Sequence, residues 1–224
     1  MDGNGRWAEA RGLRRSAGHR EGAKSVREVV TRAREQGVEV LTLYAFSTEN
    51  WRRPKREIGQ LMTLLSDFLV SERSTLINNQ IALRAIGRPG DLPASVTGLL
   101  NRLMADSAHD AAMTLNLALS YGSKAELVDA FEVLRREGGV IDESRIEQAL
   151  HTGGQPAVDL LIRTGGEQRL SNFLLWQAAY AELIFTDTLW PDFGATHLDA
   201  ALEEFSSRER RFGKTGAQVQ GQNT

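Results

Sequence analysis

Short apolar runs that alternate with helical periodicity constrain this chain more than any other feature. "VEVLTLYAF" (38–46), "IALRAI" (81–86), "MTLNLAL" (113–119), "DLLIR" (159–163) and "LIFT" (183–186) each have the length and residue types of a buried strand. Between them the apolar residues shift to a spacing of three and four. That spacing predicts helices over 16–36, 57–77, 92–107, 123–137, 142–151, 171–181 and 196–210. In the 57–77 segment Ile58, Leu61, Met62, Leu64, Leu65, Phe68 and Leu69 cover about 160° of the helix circumference, a wide apolar face. The alternation predicts a single α/β domain, with a mostly parallel central sheet flanked by helices. In such a sheet ligands bind beyond the carboxyl ends of the strands, so the loops there should carry the chemistry.

The bulk numbers narrow the class. A chain of 224 residues can bury one good core without covalent help. It has no cysteine, so disulfides and thiolate sites are excluded, any metal must be held by oxygen or imidazole, and the composition fits a cytoplasmic protein. A net charge of -2 argues against a nucleic-acid partner. No apolar run approaches the roughly 18 residues of a membrane span, and the apolar core of a signal peptide is absent, which leaves peripheral membrane contact as the most to expect. The charge is uneven, however. Arg6, Arg11, Arg14, Arg15, Arg20, Lys24 and Arg27 crowd the first thirty residues, and such a field suits an anionic small molecule.

Three polar loops stand out. "DGNGRW" (2–7) places glycines where backbone N–H groups can approach a phosphate, with Asp2 able to hold Mg²⁺, which uses one or two carboxylates plus substrate phosphates. Taken alone it fits a plain turn equally well. "STENWRRP" (47–54) follows the first strand and offers two hydroxyls, a carboxylate, a carboxamide and a guanidinium; its bland alternative is a solvated loop in which Trp51 covers the core edge. "RTGGEQRLS" (163–171) pairs Arg163 with Arg169 around two glycines and ends in Ser171, a pattern suited to bidentate anion recognition. His19 on a helix reads as a packing or surface histidine as readily as a ligand. Glu182 in "AYAELIF" is a carboxylate beside an apolar strand, which a metal, a cation or solvent would each explain.

Taken together, "MDGNGRWA", "GHREGAKSV", "LTLYAFSTENWRRP", "DLLIRTGGEQRLSNFLLWQAAYAEL", "FTDTLWPDF" and "RERRFG" resemble the bacterial cis-prenyltransferases, the undecaprenyl diphosphate synthases among them. The resemblance spans nearly the whole chain. It implies a Mg²⁺-dependent homodimer that adds isopentenyl diphosphate repeatedly to an allylic diphosphate, farnesyl diphosphate, forming cis double bonds up to undecaprenyl diphosphate, a lipid carrier precursor for cell-wall synthesis. By the family pattern Gly3, Asn4, Gly5, Arg6 and Trp7 bind the allylic diphosphate with help from Arg15 and His19, and Asp2 is catalytic and holds the metal. Arg163, Arg169, Leu170 and Ser171 look like the isopentenyl diphosphate site, and Glu182 resembles a second metal-associated carboxylate. Ser47, Thr48, Glu49, Trp51 and Arg53 match the loop between the substrates. The family assigns Asn50 to proton removal; because a carboxamide is a poor base, it is read here as orienting the substrate while a diphosphate oxygen takes the proton. The resemblance also implies a hydrophobic tunnel, with Leu61, Leu65, Phe68 and Leu69, and Leu43, Ala45, Met113 or Leu115, as candidates for its wall. Arg211 to Gly213 resembles a segment that reaches the partner subunit.

The family pattern is not matched everywhere. Gln168 stands where relatives carry histidine, "SYGSK" (120–124) replaces "NYGGR", and the apolar strand that relatives place before "MDGNGRW" has no counterpart here, so the domain is expected to be 1–213 without its first strand, with a polar tail at 214–224. Rival readings are a cis-prenyltransferase of different product length, a non-catalytic subunit of such an enzyme and a generic nucleotide-binding protein. The retained Asp2, Asn4, Arg6 and Arg163 oppose the second, and the lack of a Walker or Rossmann glycine motif opposes the third.

Overall fold

The computed structural model describes residues 1–208. In chain order the elements are α1 (Asn4–Glu9), α2 (Arg15–Glu35), β1 (Val40–Ser47), α3 (Lys55–Ser71), α4 (Arg73–Asn78), β2 (Ile81–Gly87), α5 (Ala94–Ser107), β3 (Met113–Tyr121), α6 (Ser123–Glu137), α7 (Glu143–Ala149), β4 (Leu160–Arg163), β5 (Glu182–Phe185) and α8 (Ala195–Ser207), with single 3₁₀ turns at Thr48–Arg52, Pro89–Asp91 and Trp190–Asp192. All strand pairs are parallel, as the alternation requires. β3 lies between β1 and β2, and eight of its nine residues are buried, the continuous burial of a strand covered on both faces. Leu100 of α5 and Leu115 and Leu119 of β3 have no exposed surface and anchor the core.

Three features differ from the periodicity. The 57–77 helix is two helices, parted at Glu72, whose nearly buried carboxylate turns to meet Arg27 of α2. Residues 171–181 are a series of turns, not a helix, because Ser171, Asn172 and Leu174 hold φ of 50°, 62° and 46°, outside the helical region. The short helix α1 falls where a loop was expected; the Gly3 N-cap at φ 103° allows the chain to turn into it.

Among the described residues the strands form two sheets, β1-β3-β2 and β4-β5. β1 and β4 face each other across a cavity of about 690 Å³, lined on one side by Val40 to Tyr44 and on the other by Leu160 to Thr164. Among the described residues no helix is long and apolar enough to cross a membrane.

Candidate active site

The carboxyl ends of β1 and β4 converge on the start of the chain. The backbone N–H of Asp2 donates to Thr164 Oγ1 at 2.9 Å, and that hydroxyl donates back to the Asp2 carbonyl at 3.0 Å. The same carbonyl accepts the Trp190 N–H at 3.0 Å. The carboxylate is held as firmly: Gly3 N–H donates to Oδ1 at 2.7 Å, Arg163 Nη2 reaches Oδ2 at 3.0 Å, and Arg6 lies 3.5 Å from Oδ1. Burial works to raise the pKa of Asp2, but the Arg163 and Gly3 hydrogen bonds and the charges of Arg163 and Arg6 outweigh it, so the group stays ionised below the usual carboxylate range.

Two glycines of α2 let α1 approach closely. A Cβ at Gly18 would stand 1.9 Å from the Asn4 carbonyl oxygen, and one at Gly22 would stand 2.2 Å from Asn4 Oδ1. α1 therefore lies on α2 with its first turn aimed into a cavity of about 240 Å³. The amides of Asn4, Gly5 and Arg6 lie in that turn, where a helix has no acceptor of its own to offer. Two buried side-chain atoms here lack partners, Asn4 Oδ1 and His19 Nε2. Burial, followed by the charge of Arg53, lowers the pKa of His19, with Arg15 adding and Glu57 opposing, so the imidazole is neutral near neutral pH.

Asp2, Gly3, Asn4, Gly5, Arg6, Arg15, His19, Asn50 and Arg53 all line this cavity. Arg15 also pairs with Glu9 at 2.7 Å, and Arg53 with Glu57 at 2.9 Å. Asn50 Oδ1 accepts the Ser47 N–H at 3.1 Å, which leaves the Asn50 amide nitrogen for the cavity. Trp7 does not line it; its indole donates to Asp192 at 2.7 Å and Arg11 stacks over its ring. Trp51 is also turned inward, its indole donating to Ser120 at 2.9 Å and its ring edge-on to Phe46. Thr48 approaches Gly122, and Glu49 accepts from Asn172 at 3.1 Å.

Arg163 bridges the two loops. Besides Asp2 it donates to Ser171 Oγ at 2.7 Å and to the Arg169 carbonyl. Arg169, Leu170 and Ser171 border the larger cavity with it, Arg169 being mostly exposed and paired with Glu167. Glu182 is not brought to Asp2. It opens β5 opposite Leu160, three registers and roughly 10 Å from the level of Arg163, and it pairs with Arg208 at 2.8 Å. Among the described residues no group of three or more His, Cys, Asp or Glu side chains is placed to hold a metal.

The apolar end of the smaller cavity is formed by α3, through Leu61, Met62, Leu64, Leu65 and Phe68, and by Leu43 and Ala45 of β1. Leu69, Met113 and Leu115, expected in a tunnel wall, are packed in the core instead, at 3%, 2% and 0% exposure.

A family model described as "Putative undecaprenyl diphosphate synthase" matches residues 1–213. The isoprenyl transferases of Zymomonas mobilis and Porphyromonas gingivalis are 51% and 49% identical, with 95% and 98% of this chain and 89% of each relative covered. The chain belongs to the undecaprenyl diphosphate synthase family. Among solved structures, lavandulyl diphosphate synthase from Lavandula x intermedia in complex with dimethylallyl diphosphate superimposes with a TM-score of 0.89 at 36% identity, covering 96% of this chain and 95% of that one. A probable undecaprenyl diphosphate synthase from Campylobacter jejuni gives 0.80, also at 36%, over 87% and 92%. The chain is thus a prenyltransferase of the cis-elongating kind.

For a member of this family, the residues around the site that sequence reasoning missed are informative. Thr164, 2% exposed, fixes the Asp2 backbone, and the Gly165 carbonyl accepts Arg6 Nη1 at 2.7 Å. Trp190 clamps Gly22 through its indole at 2.9 Å as well as Asp2. The spacing of Gly18 and Gly22, one helical turn apart in "GHREG", was a readable sign of close packing; nothing local marks Thr164, whose partner is 162 positions away.

Proposed function

We propose that this prenyltransferase condenses isopentenyl diphosphate units onto farnesyl diphosphate to make undecaprenyl diphosphate. The observation that carries the reading is the Arg163 bridge: one guanidinium joins Asp2 and its amide-rich loop to Ser171 of the arginine-rich loop, beside an apolar cavity under α3. Two diphosphates then lie side by side. The 3–6 loop, Arg15 and the neutral His19 take the allylic diphosphate; Arg163, Arg169, Leu170 and Ser171 take the incoming one, with Ser47, Thr48, Glu49 and Arg53 between them.

Departure of the allylic diphosphate leaves an electron-poor carbon, and guanidinium and amide groups already in place offset the negative charge that grows on the leaving oxygens. The terminal double bond of the isopentenyl unit forms a C–C bond to that carbon, and C2 of the same unit loses a proton to a diphosphate oxygen, which restores a double bond; Asn50 offers its amide N–H to a diphosphate oxygen and so orients the incoming unit. Asp2 suits Mg²⁺: it is a carboxylate kept ionised, and substrate oxygens and water would complete the shell. Bound there, the ion supplies further charge for the leaving group. Glu182 would join such a site only by giving up Arg208. Each buried methylene of the growing chain contributes about 0.8 kcal/mol, so an apolar channel below α3 sets when elongation stops.

Incubation with labelled isopentenyl diphosphate, farnesyl diphosphate and Mg²⁺, followed by sizing of the lipid, tests the whole reading. A ladder ending near eleven prenyl units is the expected result, as the named product has roughly that length by the family resemblance. A single short product would move the assignment to another chain length, and no product would end it.

The enzyme is further proposed to work as a cytoplasmic homodimer that touches membranes only to release product. Val128 and Phe131, one turn apart and exposed on α6, supply an apolar face for a partner copy, and sedimentation of Phe131→Glu as a monomer would support that face. The segment 211–213, expected to reach the partner, and the tail 214–224 lie outside the described residues. The slot between β1 and β4 is proposed to seat an apolar parallel strand that unites the two sheets. Fusing an alternating apolar segment ahead of Met1 should raise the melting temperature; an unchanged value would count against the seat.

A further inference from the structure

Ser171, Asn172 and Leu174 all sit in the left-handed region, which side chains other than glycine and asparagine adopt reluctantly. Something must hold the segment there, and the contacts centre on Asn172. Its carbonyl accepts the Ser123 N–H at 2.8 Å, its Oδ1 accepts the Lys124 N–H at 2.9 Å, and its Nδ2 donates to Glu49 Oε1 at 3.1 Å. One residue thus ties the first turn of α6 to both substrate loops. The fit is tight: a Cβ at Gly122 would come 2.7 Å from Asn172 Nδ2 and 2.8 Å from Thr48 Oγ1. On one side, Ser171 takes the hydrogen bond from Arg163; on the other, the Phe173 ring stacks on Tyr44 of β1 at 4.4 Å. α6 contributes two backbone N–H groups to Asn172, and the buried Ser123 hydroxyl adds to the grip by accepting the Leu175 N–H at 3.0 Å.

We propose that Asn172 is a positioning residue that sets the spacing of the two diphosphate subsites, by fixing the 47–53 loop and the 163–171 loop against the start of α6. The inference rests on the two-diphosphate reading above. Loosening the joint should leave each loop folded but let the incoming diphosphate wander relative to the allylic one, and misplacement at a reacting centre is costly in rate.

A double-mutant cycle with Glu49 tests it. Asn172→Asp keeps the acceptor for Lys124 but loses the donor and sets two carboxylates together; KM for isopentenyl diphosphate should rise about tenfold, the effect of one charged hydrogen bond, with a melting temperature unchanged within a few degrees. In a Glu49→Gln background the glutamine amide can donate to the new carboxylate, and the same substitution should then change KM less than about threefold. An equal penalty in both backgrounds overturns the proposal. Hydrogen exchange decides the joint independently of turnover. In Asn172→Gly the Lys124 amide should exchange at least about tenfold faster, and unchanged protection would overturn the proposal. Failure of the wild type to elongate any primer would fault the functional reading alone and leave the exchange result to decide the joint.

Discussion

Gly18→Ala isolates the close approach of α1 to α2. The added methyl would stand 1.9 Å from the Asn4 carbonyl oxygen, 2.8 Å from its carbon and 3.3 Å from the Ala8 methyl, whereas real Cβ atoms do not come within 3.0 Å of other atoms, so α1 must retreat by about 1 Å or more. Two energies compete. Alanine in place of glycine inside a helix gains about 1 kcal/mol, and overpacking costs about 1–3 kcal/mol. The obstructing atom is backbone with no freedom to swing aside, which puts the overpacking in the upper part of that range, about 2–3 kcal/mol, so the cost should win by about 1–2 kcal/mol. For a chain of this size that lowers the melting temperature by roughly 2–8 °C. The effect on catalysis should be far larger, since a displacement near 1 Å would move Asn4 and Gly5 off the proposed allylic diphosphate site and cost about 100-fold in kcat/KM. Gly98→Ala is the control. It lies within α5 with nothing within 4 Å of the added Cβ, so it should raise the melting temperature by about 2–4 °C and leave turnover alone. Thermal melts and steady-state kinetics on both variants decide the matter. If Gly18→Ala kept kcat/KM within about threefold of wild type, the link between helix contact and diphosphate geometry would be refuted.

Asp2→Asn removes the charge while keeping the shape, and should reduce kcat by about 100-fold or more and weaken the response to Mg²⁺ in a metal titration; undiminished turnover would remove Asp2 from the chemistry. Glu72 has its pKa lowered despite opposing burial, through the hydrogen bonds of Arg27 and Ser71. Its contribution to stability is therefore complete above its ordinary value of 4.5 and is lost as pH falls below that toward the lower folded pKa. In Arg27→Met this acid-side loss, followed by urea unfolding across pH, should shrink or reverse, because the carboxylate is left buried without its cation. Leu65→Trp should shorten the product, since Leu65 lines the cavity, whereas Leu115→Trp overpacks a fully buried strand and should lower the melting temperature and the yield of folded protein instead; a stable Leu115→Trp enzyme with short product would place the channel elsewhere.

Much of the architecture was legible in the residues because it depends on neighbours in the chain. All five strands fall where the apolar runs place them, and most of the helices follow the three-and-four spacing. The helix expected over 171–181 failed for a reason no local propensity contains. Ser171, Asn172 and Leu174 hold left-handed conformations where the 171–175 segment is bonded to Ser123, Lys124 and Glu49, and those partners lie about fifty and more positions away. In the same way the helical pattern continued through Glu72, while the chain breaks there to meet Arg27.

The sequence by itself determined the α/β alternation, the three polar loops and their charge, because periodicity and composition act within a few residues. Only the tertiary structure decided that Arg163 meets Asp2 across 161 positions, that Trp7 and Trp51 are spent on Asp192 and Ser120, and that Glu182 answers to Arg208. Those pairings are settled by which surfaces collapse together, and the free energy of a contact between distant residues is written in neither of them alone.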